Sequence, residues 1–169
     1  MAVVALSLGS NMGDREKNIK RAVKLIEKEF GPLKISPVYE APPFYDSQKG
    51  QENFYNCCVS FESEPEPHEI FKKTSAMEKK MGRKDSYPNA PREIDIDIIL
   101  VDDIIIADET LTIPHTGLQD RKFVLKPLKD ILENFVHPAI GLSIKDLYYE
   151  CPDRSRLKKL KGFWKEEKK

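Results

Sequence analysis

The segment Ile94-Asp95-Ile96-Asp97-Ile98-Ile99-Leu100-Val101 constrains the fold more than any other stretch of this chain. Apolar side chains at every second position suit a β-strand, in which neighbouring residues point to opposite faces. On that alternation Ile94, Ile96, Ile98 and Leu100 share one face and pack into a core. The other face carries Asp95, Asp97, Ile99 and Val101. Its later half is apolar too, which predicts a central strand covered on both sides. The two aspartates then stand side by side at the leading end of the strand, at the margin of a buried region.

Two carboxylates roughly 6.5–7 Å apart along a strand repel unless something positive lies between them. Magnesium takes hard oxygen ligands and often uses one or two carboxylates together with substrate phosphates. Two ions about 3.5–4 Å apart, held by such a pair, can clamp a phosphoryl group undergoing displacement. The competing reading is an amphipathic edge strand with two solvated aspartates.

The surroundings favour the metal. Arg83 begins and Arg92 ends a polar loop just before the strand. Arginine's planar fork suits phosphate oxygens, and a loop can bring it in once substrate has bound. Further on, Leu111-Thr112-Ile113-Pro114-His115 places a histidine after an apolar run, with Arg121 and Phe123 close behind. Beside phosphates an imidazole can donate a hydrogen bond to a nucleotide oxygen. No GxxxxGK[ST] sequence occurs, and Gly9-Ser10-Asn11 is too short for a dinucleotide fingerprint, so a nucleotide here is not held by a P-loop.

Elsewhere the periodicity predicts strands at 3–8, 34–40 and 54–61, with a short one at 104–106. Helices are expected at 14–30, 67–81, 125–135 and 143–149, and polar loops at 44–53 and 83–91. Strands and helices alternate, which is the pattern of an α/β sandwich, one sheet backed by helices. No repeat or linker divides the chain. A single catalytic domain over 1–160 and a solvated, lysine-rich tail at 161–169 are expected.

Lysine plus arginine and aspartate plus glutamate number 28 each, so no global field argues for nucleic acid or a membrane, and any anion site is built locally. No stretch approaches the roughly 18 apolar residues of a membrane span, and Met1 leads into a strand-like run rather than a signal peptide. Cys57 and Cys58 are neighbours whose side chains should point to opposite faces. With Cys151 they form no zinc spacing, and reduced thiols in a cytoplasmic protein are the expectation. Nothing in the sequence forces a dimer, so a monomer is expected.

Ordered along the chain, several segments together resemble 6-hydroxymethyl-7,8-dihydropterin pyrophosphokinase (HPPK) of folate biosynthesis. They are Leu8-Gly9-Ser10-Asn11, Tyr39 with Pro42-Pro43, Asn53-Phe54-Tyr55-Asn56, Glu78 with Gly82-Arg83, Pro91-Arg92-Glu93-Ile94-Asp95-Ile96-Asp97, Ile113-Pro114-His115 and Arg121-Lys122-Phe123-Val124-Leu125-Lys126-Pro127-Leu128. The resemblance runs from about residue 3 to residue 136, and its Pro-Arg-x-x-Asp-x-Asp element is quite specific.

The resemblance implies a ferredoxin-like sandwich that moves pyrophosphate from ATP to the pterin's hydroxymethyl oxygen and releases AMP. It implies two magnesium ions on Asp95 and Asp97, with Arg83 and Arg92 as catalytic-loop arginines. Glu78, Ile98, Thr112, His115 and Arg121 match nucleotide contacts. Phe54 and Phe123 match the aromatics that sandwich the pterin, Asn56 matches the amide that reads its polar edge, and the backbone around Ala41, Pro42, Pro43 and Phe44 should read the rest. The stretch Lys84-Asp85-Ser86-Tyr87-Pro88-Asn89 departs from better-known members, which carry a further arginine and a tryptophan there. Lys84 and Tyr87 are the candidate replacements, and Asn89 could not stack as the tryptophan does. A non-catalytic ferredoxin-like module binding nucleotide or RNA is the alternative, although no RNP-type aromatic motif is present.

Overall fold

The computed structural model describes residues 1–64, 66–83 and 87–165. Its elements in chain order are β1 (Ala2–Ser10), α1 (Arg15–Phe30), β2 (Lys34–Ile35), β3 (Tyr39–Ala41), β4 (Phe54–Ser63), α2 (Pro67–Lys80), β5 (Asp95–Val101), β6 (Ile106–Ala107), β7 (Thr112–Ile113), α3 (Lys122–Leu132), α4 (Ile144–Glu150) and β8 (Lys158–Lys159). Single 3-10 turns stand at Asp46–Gln48 and Leu118–Asp120.

Local chemistry sets the limits of α1. The Asp14 side chain accepts the N–H of Lys17 at 3.1 Å and satisfies one of the free donors of the first turn. Gly31, at φ 91°, ends the helix in a conformation that a side chain would disfavour. Ile19, Ala22, Val23 and Ile26 form its buried stripe.

The main sheet runs β5-β1-β4-β3-β8, with β2 also on β4, and its pairings are antiparallel. The order β1-α1-β3-β4-α2-β5, with β1 and β4 at the centre, is that of a ferredoxin-like sandwich. β1 and β4 are apolar on both faces because both faces are covered. On one face Leu6, Leu8, Val59, Phe61 and Ile96 pack with the buried stripes of α1 and α2. On the other, Ala5, Cys58, Ile99 and Leu100 pack with Val124, Leu125 and Leu128 of α3 and Ile144 of α4. Cys57 and Cys58 fall in these two different clusters, as strand alternation requires.

Several expectations are corrected. β5 is an edge strand of the sheet rather than a central one. Its open side is closed by other groups. Glu78 Oε2 accepts the N–H of Ile96 at 2.9 Å, and His115 N donates to the carbonyl of Ile99 at 2.8 Å. The simple alternation also fails at Ile99. Leu6 pairs with Ile98 but Ala5 pairs with Leu100, so Ile99 is an extra residue in β5, a bulge. After it the faces exchange: Leu100 joins the α3 cluster and Val101 the α1 cluster.

The strand expected at 34–40 is two short strands, because Pro37 has no N–H to give to a ladder. Ser36 uses its hydroxyl instead, accepting the N–H of Cys58 at 2.9 Å. The expected strand at 104–106 lies at Ile106–Ala107, and the helix expected from 125 begins at Lys122.

The residues expected to start a solvated tail are packed as far as Trp164. Lys158 and Lys159 pair with Glu40 and Tyr39, Phe163 is 6% exposed, and Trp164 Nε1 donates to the carbonyl of Ser36 at 2.9 Å.

Candidate active site

α3 covers only part of its face of the sheet. Beyond it the register lays β5, β1 and β4 side by side as Asp95-Gly9-Asn56 and Asp97-Ser7-Cys58. Of those rows, Asp95, Gly9, Asn56, Asp97 and Ser7 form the floor of a cleft of about 260 Å³. Two chemically distinct ends meet there.

One end is aromatic. Phe54, Phe44 and Phe123 line it, with the Phe44 and Phe123 rings 5.6 Å apart. Asn56 lies on the floor between them and the carboxylates, 3% exposed, and its Nδ2 is buried with no hydrogen-bond partner among the described residues. An unpaired buried N–H group costs about 1–3 kcal/mol, so its presence at the bottom of a cleft marks a position where a ligand acceptor belongs.

Gly9 makes room for that amide. A Cβ there would stand 3.2 Å from Asn56 Oδ1 and 3.5 Å from the Phe54 ring. Pro42 lines the cleft as well, whereas Ala41 is buried and neither it nor Pro43 is part of the wall.

The other end is charged. Asp95 Oδ1 is approached by Arg83 Nη1 at 3.5 Å and by Arg92 Nη1 at 3.4 Å. Burial, then the neighbouring Asp97, push the Asp95 carboxyl up to about 7 against the pull of Arg83. Asp97 keeps solvent access because the cleft is open, yet protein crowds it from the sides. Its carboxyl is also held above the usual range, Arg121 and Arg83 opposing. At both groups burial outweighs the nearby arginines.

Among the described residues no third histidine, cysteine or carboxylate completes a cage. Two hard oxygen groups facing an open cleft fit magnesium, which fills its other positions with water and phosphate oxygens.

His115 lies between this cleft and a second one along the free edge of β5, lined by Ile98, Thr112, Thr116 and Phe71; Asp97 borders both. Burial, then Arg121, lower the imidazole to about 4, so it is neutral at pH 7. Its Nδ1 accepts the N–H of Gly117 at 3.2 Å, which leaves the proton on Nε2 as a free donor. Arg121 donates to the hydroxyl of Tyr45 and lies 5.5 Å from the ring centre of Phe44.

The structure thus brings together Arg83, Arg92, Asp95, Asp97, His115, Arg121, Phe44, Phe54, Asn56 and Phe123, with Ile98 and Thr112 in the adjoining cleft. Glu78 stands apart from both. It is buried, holds the N–H of Ile96 and pairs with Arg83 Nη1 at 2.7 Å, and burial raises its carboxyl to about 7. Its position makes it a support for the strand edge and for Arg83.

Tyr87 is exposed and does not line the cleft, where Asn89 does, and Lys84 lies outside the described residues. Ser7, Tyr45, Gln48 and Asn89 are wall residues that sequence reasoning missed. Ser7 had a signal, being a polar residue within an apolar strand two positions from Gly9. The three loop residues had none.

Comparisons with known proteins find relatives over most of the chain. The model of the family 7,8-dihydro-6-hydroxymethylpterin-pyrophosphokinase (HPPK) matches residues 5–133. A 2-amino-4-hydroxy-6-hydroxymethyldihydropteridine pyrophosphokinase of Aquifex aeolicus is 38% identical over 146 residues, covering 86% of this chain and 90% of its own length. A folic acid synthesis protein of Dictyostelium discoideum is 38% identical over 89% of this chain, but the match spans only 23% of that protein. The chain thus spans about a fifth to a quarter of the length of such larger relatives. The crystal structure of wild-type Plasmodium falciparum HPPK-DHPS superposes with a TM-score of 0.70 at 17% identity, over 88% of this chain and 44% of that one, which shows a shared fold.

Proposed function

The chain belongs to the 7,8-dihydro-6-hydroxymethylpterin-pyrophosphokinase family, and we propose that it transfers the pyrophosphoryl group of ATP to the hydroxymethyl oxygen of 6-hydroxymethyl-7,8-dihydropterin, releasing AMP, in folate biosynthesis. One observation carries this reading. An aromatic-walled pocket with an unpaired amide donor at its base opens directly onto paired carboxylates and three arginines. A flat heterocycle and a polyphosphate fit those two ends.

In this reading Phe54 and Phe123 hold the pterin ring by its faces, and the Asn56 side chain reads its polar edge. That placement aims the hydroxymethyl group at the charged end and replaces a bimolecular encounter by a held approach. Asp95 and Asp97 are the residues that would hold two magnesium ions, which when bound neutralise phosphate charge. Arg83 and Arg92 rest on Asp95 in the free protein, and each has a planar fork able to move to phosphate oxygens as their charge grows. Arg121 and the Nε2–H of His115 add a fixed cation and a neutral donor on the nucleotide side. Ile98 and Thr112, in the adjoining cleft, contact the rest of the nucleotide.

Three free, buried cysteines support a reducing compartment such as the cytoplasm, and no helix among the described residues is long and apolar enough to cross a membrane. We take the chain to act as a monomer on small molecules, without nucleic acid.

The decisive experiment incubates purified protein with ATP, magnesium and 6-hydroxymethyl-7,8-dihydropterin and measures AMP. Release is expected only when all three are present. Binding of both substrates without AMP release would instead favour the non-catalytic module.

A further inference from the structure

Asn11, just past β1, is 2% exposed and saturated with partners. Its N–H donates to the carbonyl of Arg92 at 3.0 Å, and its Oδ1 accepts the N–H of Arg92 at 2.8 Å. Its Nδ2 donates to Gln51 Oε1 at 2.8 Å. Gln51 Nε2 then donates to the carbonyl of Asn89 at 2.9 Å, and Asn89 Nδ2 donates to Ser47 Oγ at 3.0 Å. Amide side chains donate and accept at once, so these residues form one continuous series of bonds.

The series joins two loops that wall opposite ends of the cleft. Residues 42–53 carry Phe44, Tyr45 and Gln48 at the aromatic end, and the segment before β5 carries Arg92 at the charged end. Within the first loop, Gln48 N donates to the carbonyl of Tyr45 at 2.9 Å and Gln51 N to that of Gln48 at 3.0 Å. Tyr45 and Gln48 are thereby linked through Gln51 to Asn89, Asn11 and the backbone of Arg92.

We propose that Asn11 and Gln51 are positioning residues which set Arg92 according to the filling of the aromatic pocket. The inference rests on the reading that a pterin fills that pocket while phosphates lie beside Arg92. Asn89 completes the series. Its φ of 60° is a backbone conformation that asparagine tolerates better than most residues.

Gln51→Leu removes both side-chain bonds at similar volume, and Asn89→Gly keeps the backbone conformation while deleting the bond to Ser47. Deuterium uptake by residues 87–94 of the ligand-free protein should rise in both variants, with the helices unchanged. This readout holds whatever reaction the protein catalyses, and unchanged uptake in both variants overturns the series.

In turnover, Gln51→Leu should lower kcat by about tenfold or more, with the KM for ATP within about twofold, because misplacement of a phosphate-holding group acts mainly on the reacting geometry. Added to Arg92→Ala, Gln51→Leu should cause little further loss, since it acts through Arg92. Multiplying losses would overturn the proposal. Wild-type protein that makes no AMP would reject the reaction, and the hydrogen-exchange result would then stand alone as the test of the series.

Discussion

Gly9 and Asn56 face one another across β1 and β4, and the missing side chain of the first leaves space for the amide of the second. A methyl group on Gly9 would sit 3.2 Å from Asn56 Oδ1, so the amide would have to shift by some tenths of an ångström. Gly9→Ala should therefore raise the dissociation constant for 6-hydroxymethyl-7,8-dihydropterin by about tenfold, the loss of roughly one good hydrogen bond. Asn56→Leu should abolish measurable pterin binding yet leave the ligand-free melting temperature unchanged or higher, because a buried unpaired donor is removed. Calorimetry and thermal melting check the pair. Strong destabilisation by Asn56→Leu would mean that the amide serves the fold.

Asp95→Asn and Asp97→Asn each remove one negative charge from a crowded pair. AMP formation should fall by at least about a hundredfold in either variant, on the scale of losing one preorganised electrostatic group. The ligand-free proteins should melt no lower than the wild type, since like-charge repulsion between the two carboxyls is relieved. Retained turnover in both variants would remove the metal assignment.

The raised carboxyl of Asp95 has a definite pH signature. In the unfolded chain it titrates near the ordinary value of roughly 4, and in the folded one at about 7. Between those values the folded state holds a proton that the unfolded state has released. Its contribution is fully present below about pH 4 and is lost as the pH rises through 7. The melting temperature of Asp95→Asn relative to wild type should thus increase from pH 5 to pH 8 without metal. Magnesium added at pH 8 should narrow the gap by stabilising the wild type alone. A gap that shrinks with rising pH in metal-free buffer would contradict the assignment.

Phe163 tests how far the domain extends. Its ring meets Tyr55 and Trp164 edge-on, with centroids 6.3 Å and 4.8 Å away, in the core under α1. Phe163→Ala should cost about 3 kcal/mol, as for other large buried aromatics. Urea denaturation measures this directly, and a loss below about 1 kcal/mol would place the segment outside the cooperative core.

The legible parts of the site lay on regular elements. Asp95 and Asp97 share a face because they stand two positions apart on a strand, with only Ile96 between them, and the structure keeps them there since the bulge at Ile99 comes later in β5. The same bulge defeated the alternation for Leu100 and Val101. Nothing in Ile98-Ile99-Leu100 distinguishes a bulged strand from a regular one; pairing with Ala5 and Leu6 does. Glu78 shows the converse. The N–H of Ile96 on the sheet's edge takes its acceptor from α2, the buried carboxylate of Glu78, a pairing across 18 positions that no local pattern carries.

What the sequence alone determined is the family, the α/β sandwich class, the carboxylate strand and the aromatic pair. These depend on residue type and short-range periodicity, which a linear pattern carries. Tertiary structure decided that β5 lies at the sheet's edge, that Asn89 rather than Tyr87 lines the cleft, and that the lysine-rich end is anchored by Phe163 and Trp164. Each of those depends on contacts between residues far apart in the chain. Strand pairing and hydrogen-bond partners at long separation are settled by which surfaces and polar groups remain unsatisfied once the core has formed.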